Sequence, residues 1–423
     1  MPSTQTQEIE YYLVGGAVRD KLLGLPIKDL DWVVTGATPE IMQQKGFRSV
    51  GKDFPVFLHP KTQEEYALAR TERKVAAGYQ GFQFHAAPDV TLKQDLSRRD
   101  LTINALAEDK NGQVIDYYGG RADLEQKILR HVSPAFSEDP VRILRIARFA
   151  ARYAQLGFTI AAETMDLMQD MVTQGEVDAL VPERVWQETL RALGEKSPQR
   201  FIEVLRACGA LQVLFPEVDC LFGIPQTKIH HPEVDTGIHT LLVLARAAEL
   251  SEDSCIRYAA LTHDLGKGLT PKEEWPRHIG HEEKGVELVT RLSQRYKVPN
   301  QFRQLAEINS RQHLRIHRAL ELNPKTIVKL FSETDAFRRP ERFQQLLIAC
   351  QADAQGRTGM ENRPYPQANY LLGMLGVCQQ IDVQTIIRDG FTGPQIKEQL
   401  HRLRISAVKQ FKKNFTPDPS VAT

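Results

Sequence analysis

Two aspartates one residue apart, Asp29 and Asp31, lead into the apolar run Trp32-Val33-Val34. On an extended chain residues i and i+2 point the same way, so both carboxylates share one face. Two such charges repel unless a cation lies between them, and a hard divalent ion shared with phosphate oxygens meets that need. An isolated Asp-X-Asp triplet reads as a solvated turn before a strand. The neighbours favour the ion. Gly15-Gly16 stands at a strand-to-helix turn, where bare backbone N–H groups can approach a phosphate, and Arg19 lies in the first turn beyond. Asp95, Arg98, Arg99 and Asp100 then set two guanidiniums beside two carboxylates, just ahead of the apolar segment TINALA. Glu65, on a later strand, is a candidate third carboxylate. Mg²⁺ on the carboxylate pair, with backbone amides and arginine on a triphosphate, would make a phosphoryl-transfer site that works by positioning and charge neutralisation.

A second pattern begins at Asp139, which is placed to cap a helix with Pro140 at its first position. That helix carries Arg142, Arg145, Arg148 and Arg152, and steps of 3, 3 and 4 keep them on one face. Charged stripes are usually solvated faces. Here every cation is arginine, suited to planar bidentate bonding to bases and phosphates, and no acid follows on the same helix before Glu163. Asp139 and Arg142 together could read the Watson–Crick edge of a base.

A third pattern is histidine density. Eight of the twelve histidines fall between His230 and His317, among them His239 on a helix and the adjacent His263-Asp264 at the end of another. His281, His313 and Asp353 follow. Imidazoles with carboxylates suit a divalent transition metal carrying water in an open position. His278 and His317 read as surface residues. Lys267 lacks the spacing of a P-loop lysine.

The elements that position these groups follow from periodicity. Residues 11–120 read as α/β: strands at Tyr11 to Val14, Leu30 to Val34, Phe54 to His59, Glu65 to Ala69 and Val114 to Tyr118, with a helix after Gly16 closed by Gly24. Residues 138–220 show helical spacing nearly throughout, 222–233 form a Pro- and His-rich linker, and 235–353 are helical again. A basic helix, HRLRISAVKQFKKNF, stands near the end. The expected domains are 1–135, 136–225, 226–356 and 357–423.

Net charge is only +1, so any nucleic-acid surface must be local. No run of 18 apolar residues predicts a membrane span, and the first residues lack a signal-peptide pattern. Five cysteines without CxxC spacing read as free thiols in a reducing cytoplasm.

The segments LVGGAVRD, KDLDWVV, RRDLTINALA, DYYGG, SEDPVRILRIARFAARY and PERVWQE occur in this order over the first 190 residues. Together they resemble the class II tRNA nucleotidyltransferases, in the bacterial form with a C-terminal HD domain. The likeness continues through LFPEVD, HPEVDTGIHTLL, HDLGKGLTP and NPKTIVKLF. It implies a polymerase-beta-like α/β head with a mixed sheet, followed by an all-α neck, HD domain and tail. It implies Mg²⁺ on Asp29 and Asp31, triphosphate on Gly16 and Arg19, and a nucleotide contact from Arg99. Asp139 and Arg142 would select CTP and then ATP, with Arg145 and Arg148 completing the pocket. The partner would be tRNA, held by basic surface that includes the arginine stripe and the basic helix, and the chain would act in the cytoplasm as monomer or homodimer. In the HD superfamily, the pattern makes His239, His263, Asp264 and Asp353 the first-choice ligands of Ni²⁺ or a similar ion, with His281 and His313 as second-site candidates. The activities implied there are phosphatase, 2′,3′-cyclic phosphodiesterase and 2′-nucleotidase. Poly(A) polymerases share the head motifs, and enzymes adding only A or only CC are nearer rivals. A non-catalytic tRNA-binding or HD-type signalling module is the alternative outside catalysis. Residues 70–81 are a candidate mobile loop for switching from C to A.

Overall fold

In the computed structural model, residues 8–50, 56–74, 82–228 and 232–415 are described. The chain divides into two compact units, Met1–Ala192 with Arg200–Leu214, and Leu193–Gln199 with Phe215–Thr423.

The first unit opens on strands β1 (Glu10–Val14), β2 (Asp31–Thr35), β3 (Arg48–Val50), β4 (Val56–Leu58), β5 (Glu65–Leu68), β6 (Thr71–Lys74), β7 (Phe82–His85), β8 (Leu106–Glu108) and β9 (Val114–Asp116). Seven of them form one sheet in the order β3-β4-β5-β2-β1-β8-β9, while β6 and β7 pair separately. β2 runs antiparallel to β1 and parallel to β5, so the sheet is mixed, as expected. Helices α1 (Gly16–Leu22), α2 (Pro39–Gln44), α3 (Leu92–Ser97) and α4 (Gly120–Gln126) accompany it. Both faces are buried, which is why β2 reads as a continuous apolar run. Val33 packs with Leu92 and Leu96 of α3, and Val34 with Met42, Phe57 and Leu68 on the opposite side.

TINALA does not merely lie on the sheet: it makes a single 3₁₀ turn and then enters as β8. Of the candidate switching loop, 70–81, Thr71–Lys74 pairs antiparallel with Phe82–His85 just beyond it, and residues 75–81 lie outside the described residues. Phe54 lies outside them too.

The helical part of this unit contains α5 (Val141–Tyr153), α6 (Ala162–Thr173), α7 (Pro182–Leu193), α8 (Gln199–Ala207) and α9 (Ala210–Leu214). As expected, 138–220 is helical nearly throughout; the short strand β11 (Thr159–Ile160) interrupts it and pairs in parallel with β10 (Ile128–Leu129).

The second unit is all α: α10 (Pro216–Asp219), α11 (Thr236–Leu250), α12 (Ser254–Thr262), α13 (His281–Arg295), α14 (Asn300–His317), α15 (Pro324–Glu333), α16 (Pro340–Gln355), α17 (Pro366–Gln379), α18 (Val383–Arg388) and α19 (Pro394–Asn414). Every residue of α12 from Cys255 to Thr262 is buried, so this helix is the axis of the unit, packed by α11, α14 and α16. Small side chains, Ala247, Ala260 and Ala352 with Val243, let α11, α12 and α16 approach closely. Gly266 is needed for the same reason: a Cβ there would lie 1.9 Å from the His281 carbonyl oxygen. No described helix is long and apolar enough to cross a membrane. None of the five cysteines is in a disulfide.

Candidate functional sites

The first site is a cavity of about 1210 Å³ lined by Gly15, Gly16, Arg19, Asp29, Asp31, Arg99, Asp139, Arg142, Arg145 and Arg148, among others. Thus the residues singled out in the first half come to one place except Asp95, which is buried and paired with Arg98 and Arg99, and Glu65. Glu65 sits beside Asp31 in the β2–β5 register but is not in the cavity wall.

β2 begins at Asp31, and Asp29 lies in the irregular segment just before it. Both are exposed by area. The protein around Asp31 nevertheless strips it of water and raises its carboxyl pKa, Arg99 pulls it back, and Asp29 adds to the rise. Two exposed oxygen-donor groups with an arginine close by fit a hard ion shared with phosphate.

The glycine turn is shaped by its partners. Gly15 has φ 68° and ψ −123°, a conformation closed to other residues, and its N–H donates to the Leu106 carbonyl at 3.0 Å. A Cβ on Gly15 would lie 2.6 Å from Arg99 Nη1, so the absent side chain is what lets that guanidinium lie over the turn. Arg19 is buried rather than reaching outward. It donates from Nε to Asp20 Oδ1 at 2.8 Å and from Nη1 to Asn104, beneath the rings of Phe149 and Tyr153.

The arginine stripe has no acid on its own helix, as read, but its partners come from other elements. Arg145 Nε meets Asp100 Oδ2 at 2.7 Å, Arg148 Nε meets Glu188 Oε2 at 2.7 Å, and Arg152 Nη2 meets Asp20 Oδ2 at 3.1 Å. Arg142 is buried and donates to the carbonyls of Ala135 and Arg98 at 2.7 and 2.6 Å. Burial works to raise the Asp100 carboxyl, but Arg145 and Asn104 outweigh it and hold the group below its usual range. Arg145 in turn is held protonated chiefly by Asp100.

Asp139 Oδ1 accepts the Val141 N–H at 3.1 Å, but the helix starts one residue later than expected, with Pro140 rather than Asp139 at the cap position. The ionic partner of Asp139 is Arg184 of α7, at 3.1 and 2.8 Å, rather than Arg142. Sequence reasoning missed Arg184. The usable signal was the pair Arg184 and Glu188, four apart on one helix face.

The second site lies at the meeting of five helices. Among the described residues, two groups of metal-ligating side chains have donor atoms within 4.8 Å of one another: His239, His263 and Asp353, and Asp264, His281 and His313. All six are buried. The first-choice ligands and the second-site candidates therefore adjoin. Asp264 faces both groups, with Oδ2 at 3.1 Å from His263 Nε2 and Oδ1 at 3.3 and 3.6 Å from His281 and His313. Donors sharing one ion at about 2.1 Å stand about 3 to 3.5 Å apart, so these spacings suit coordination.

Ring orientation points the same way. Nδ1 of His263, His281 and His313 each faces a backbone carbonyl, at 2.8, 2.8 and 3.0 Å. That contact fixes the proton on Nδ1 and leaves the Nε2 lone pair facing the cluster. His263 Nε2 and Asp264 Oδ1 are buried and make no hydrogen bond, which a bound cation would remedy. Burial drives His313 down to about 3, keeping it neutral. Burial opposes ionisation of Asp264 and Asp353, but His263 and Lys267, and His317 and Arg357, keep the two carboxyls well below their usual range.

Two further expectations are corrected. His278 is buried, bonded to Thr270 Oγ1 at 2.6 Å and to the Pro225 carbonyl at 2.8 Å. His317 is half-buried and bridges Asp353 Oδ2 at 2.6 Å to the Tyr365 hydroxyl at 3.0 Å. Its spacing of four from His313 on a helix was a readable signal. Glu233, 3.0 Å from His239 Nδ1, orients that ring and was also missed. A cavity of about 1090 Å³ opens onto His281, Lys267, His317 and Arg357.

Residues 11–130 match the poly A polymerase head domain, 157–221 a probable RNA and SrmB-binding site of polymerase A, and 236–353 the HD domain. Among solved structures, a CCA-adding enzyme of Thermotoga maritima complexed with tRNA_CCA is 20% identical, with TM-score 0.64, covering 98% of this chain and 90% of that one. A CCA-adding enzyme with ATP is 22% identical, with TM-score 0.65, covering 96% and 89%. These likenesses speak for the fold. The curated relatives include the multifunctional CCA proteins of Thioalkalivibrio sulfidiphilus, 62% identical over 95% of this chain and 98% of that protein, and of Hahella chejuensis, 58% identical over 97% of each. At that identity and coverage, the chain belongs to the multifunctional CCA protein family.

Proposed function

We propose that the first unit adds C, C and A to the 3′ end of tRNA from CTP and ATP without a nucleic-acid template, and that the second hydrolyses phosphate esters at a divalent-metal centre. The observation that carries the first half is one cavity uniting a carboxylate pair, a bare glycine turn and a wall of fixed arginines. Asp29 and Asp31 would hold Mg²⁺, which when bound neutralises charge on the reacting phosphates. The Gly16 backbone, Arg19 and Arg99 orient the triphosphate. Asp139 and Arg142 meet the base, and Arg145 and Arg148 close the pocket around it. Because each guanidinium is already held by the protein, little ordering remains when nucleotide enters.

In the second unit His239, His263, Asp264 and Asp353 would hold Ni²⁺ or a similar ion, with His281 and His313 beside them. Such an ion supplies an acidified water at neutral pH. Lys267, 2.6 Å from Asp264, adds positive charge at the cavity floor, where a phosphate would arrive. The substrates proposed are terminal phosphates and 2′,3′-cyclic phosphates, including 2′-nucleotides, so that a damaged tRNA end is cleaned before CCA is rebuilt. Division into head (1–135), neck (136–225), HD domain (226–356) and tail (357–423), a cytoplasmic location and a monomeric or homodimeric state belong to the same proposal.

The test feeds tRNA lacking its 3′ end with CTP alone, ATP alone and both, and sequences the products. The wild type should complete CCA only with both. Asp29→Ala with Asp31→Ala should abolish incorporation and leave hydrolysis of a 2′,3′-cyclic nucleotide. His263→Ala with Asp264→Ala should do the reverse. Incorporation by the first double mutant would overturn the transferase assignment.

A further inference from the structure

The Asp139 carboxylate is almost saturated. Oδ1 accepts from Val141 N–H and Arg184 Nη1, both at 3.1 Å, and Oδ2 accepts from Arg184 Nη2 at 2.8 Å. A carboxylate has about four acceptor positions, so about one remains on Oδ2. The group lines the cavity, and Arg184 lines it too. Cytosine N4 and adenine N6 are amine donors at the base edge, whereas uracil O4 and guanine O6 are acceptors. One fixed acceptor therefore favours the two bases that belong in CCA and opposes the two that do not. Its selectivity depends on its staying fixed. A carboxylate turning about its χ2 bond could swing away from uracil or guanine and relieve the clash.

We infer that Arg184 is a positioning residue for base selection: its guanidinium fork locks the plane of Asp139 so that a single acceptor meets the base's exocyclic amine. The helix that carries it supports this role. α7 presents Arg184 and Glu188 four residues apart, giving a cation to Asp139 at the start of α5 and an acid to Arg148 further along. Lysine cannot replace Arg184 here, because a point charge attracts the carboxylate without fixing its plane. This inference rests on Asp139 reading the base.

The test compares kcat/KM for CTP against UTP, and for ATP against GTP, in wild type, Arg184→Gln, Arg184→Lys and Asp139→Ala. Hydrolysis of a 2′,3′-cyclic nucleotide by the second unit and thermal unfolding serve as controls. Arg184→Gln and Arg184→Lys should each lose preference at least tenfold, mainly through faster use of UTP and GTP. Adding Arg184→Gln to Asp139→Ala should change the ratio no further. If Arg184→Gln does not fold, the lysine variant decides. Unchanged preference in the Arg184 variants with loss in Asp139→Ala would overturn the inference and leave the reading of Asp139 intact. Unchanged preference in Asp139→Ala would remove that reading itself.

Discussion

Replacing Glu188 with Gln isolates the cost of holding an arginine inside the nucleotide cavity. Glu188 accepts from Arg148 Nε at 2.7 Å and from Arg191 Nη1 at 3.1 Å, and the Arg148 and Glu188 side chains are only 10% and 6% exposed. Breaking a buried pair from one side costs about 3–5 kcal/mol, because the surviving charge is left uncompensated. Gln keeps an acceptor oxygen in place, so a neutral hydrogen bond survives, and the Phe149 ring 4.5 Å from the Arg148 guanidinium still stabilises the cation. The net loss is about 2 kcal/mol. For a unit of roughly 200 residues, that lowers Tm by about 4–8 °C. Trp186 on the same helix reports the transition by fluorescence. Adding Arg148→Met removes the orphaned charge, so at least half of the lost stability should return while nucleotide incorporation stays low. The reasoning fails if Glu188→Gln shifts Tm by less than about 1 °C, or if the methionine adds a second loss instead of offsetting the first.

Gly15→Ala forces a side chain into φ 68° and within 2.6 Å of Arg99 Nη1. It should cost about 2 kcal/mol and raise KM for both nucleotides, with hydrolysis by the second unit unchanged; a wild-type KM would show that Arg99 need not lie over the turn. Adding Ni²⁺ or Co²⁺ to chelator-treated protein should stabilise the second unit against unfolding, followed by Trp275, by about 2.7 kcal/mol at a hundred times Kd. The gain should vanish in His263→Ala. Equal stabilisation of wild type and variant would place the ion elsewhere.

The carboxylate pair was legible because its logic is local. Asp29 and Asp31 are separated by one residue, and the apolar run after them declares a strand. The candidate metal-binding residues of the second unit were legible as types and clustering, yet their closeness is a tertiary fact. His239 and Asp353 are brought together by small residues on α11 and α16 that no local pattern connects with them. The arginine stripe was readable as a stripe with no acid on its own helix, but its partners on other elements were not readable. Its acids, Asp20, Asp100 and Glu188, lie on α1, after α3 and on α7 respectively. His278 looked like a surface residue because it stands in a loop, and only folding places the Pro225 carbonyl and the Thr270 hydroxyl on either side of it.

The pairing of the stripe bears on mechanism. Flexible arginines on an open face would bind any phosphate and could rearrange around any base, gaining affinity without discrimination. In the cavity, Arg142 is pinned by two carbonyls, and Arg145 and Arg148 are each pinned by a carboxylate through Nε. Such contacts fix the direction of the donors that remain. They also pay the ordering entropy when the protein folds rather than when nucleotide binds. Under the proposed function this pocket accepts first a pyrimidine and later a purine, and refuses uracil and guanine at both steps, which needs its donors and acceptors to stay put while the space around them changes. Buried ion pairs contribute little net stability, so their presence in this wall is better explained by the geometry they impose than by the energy they add.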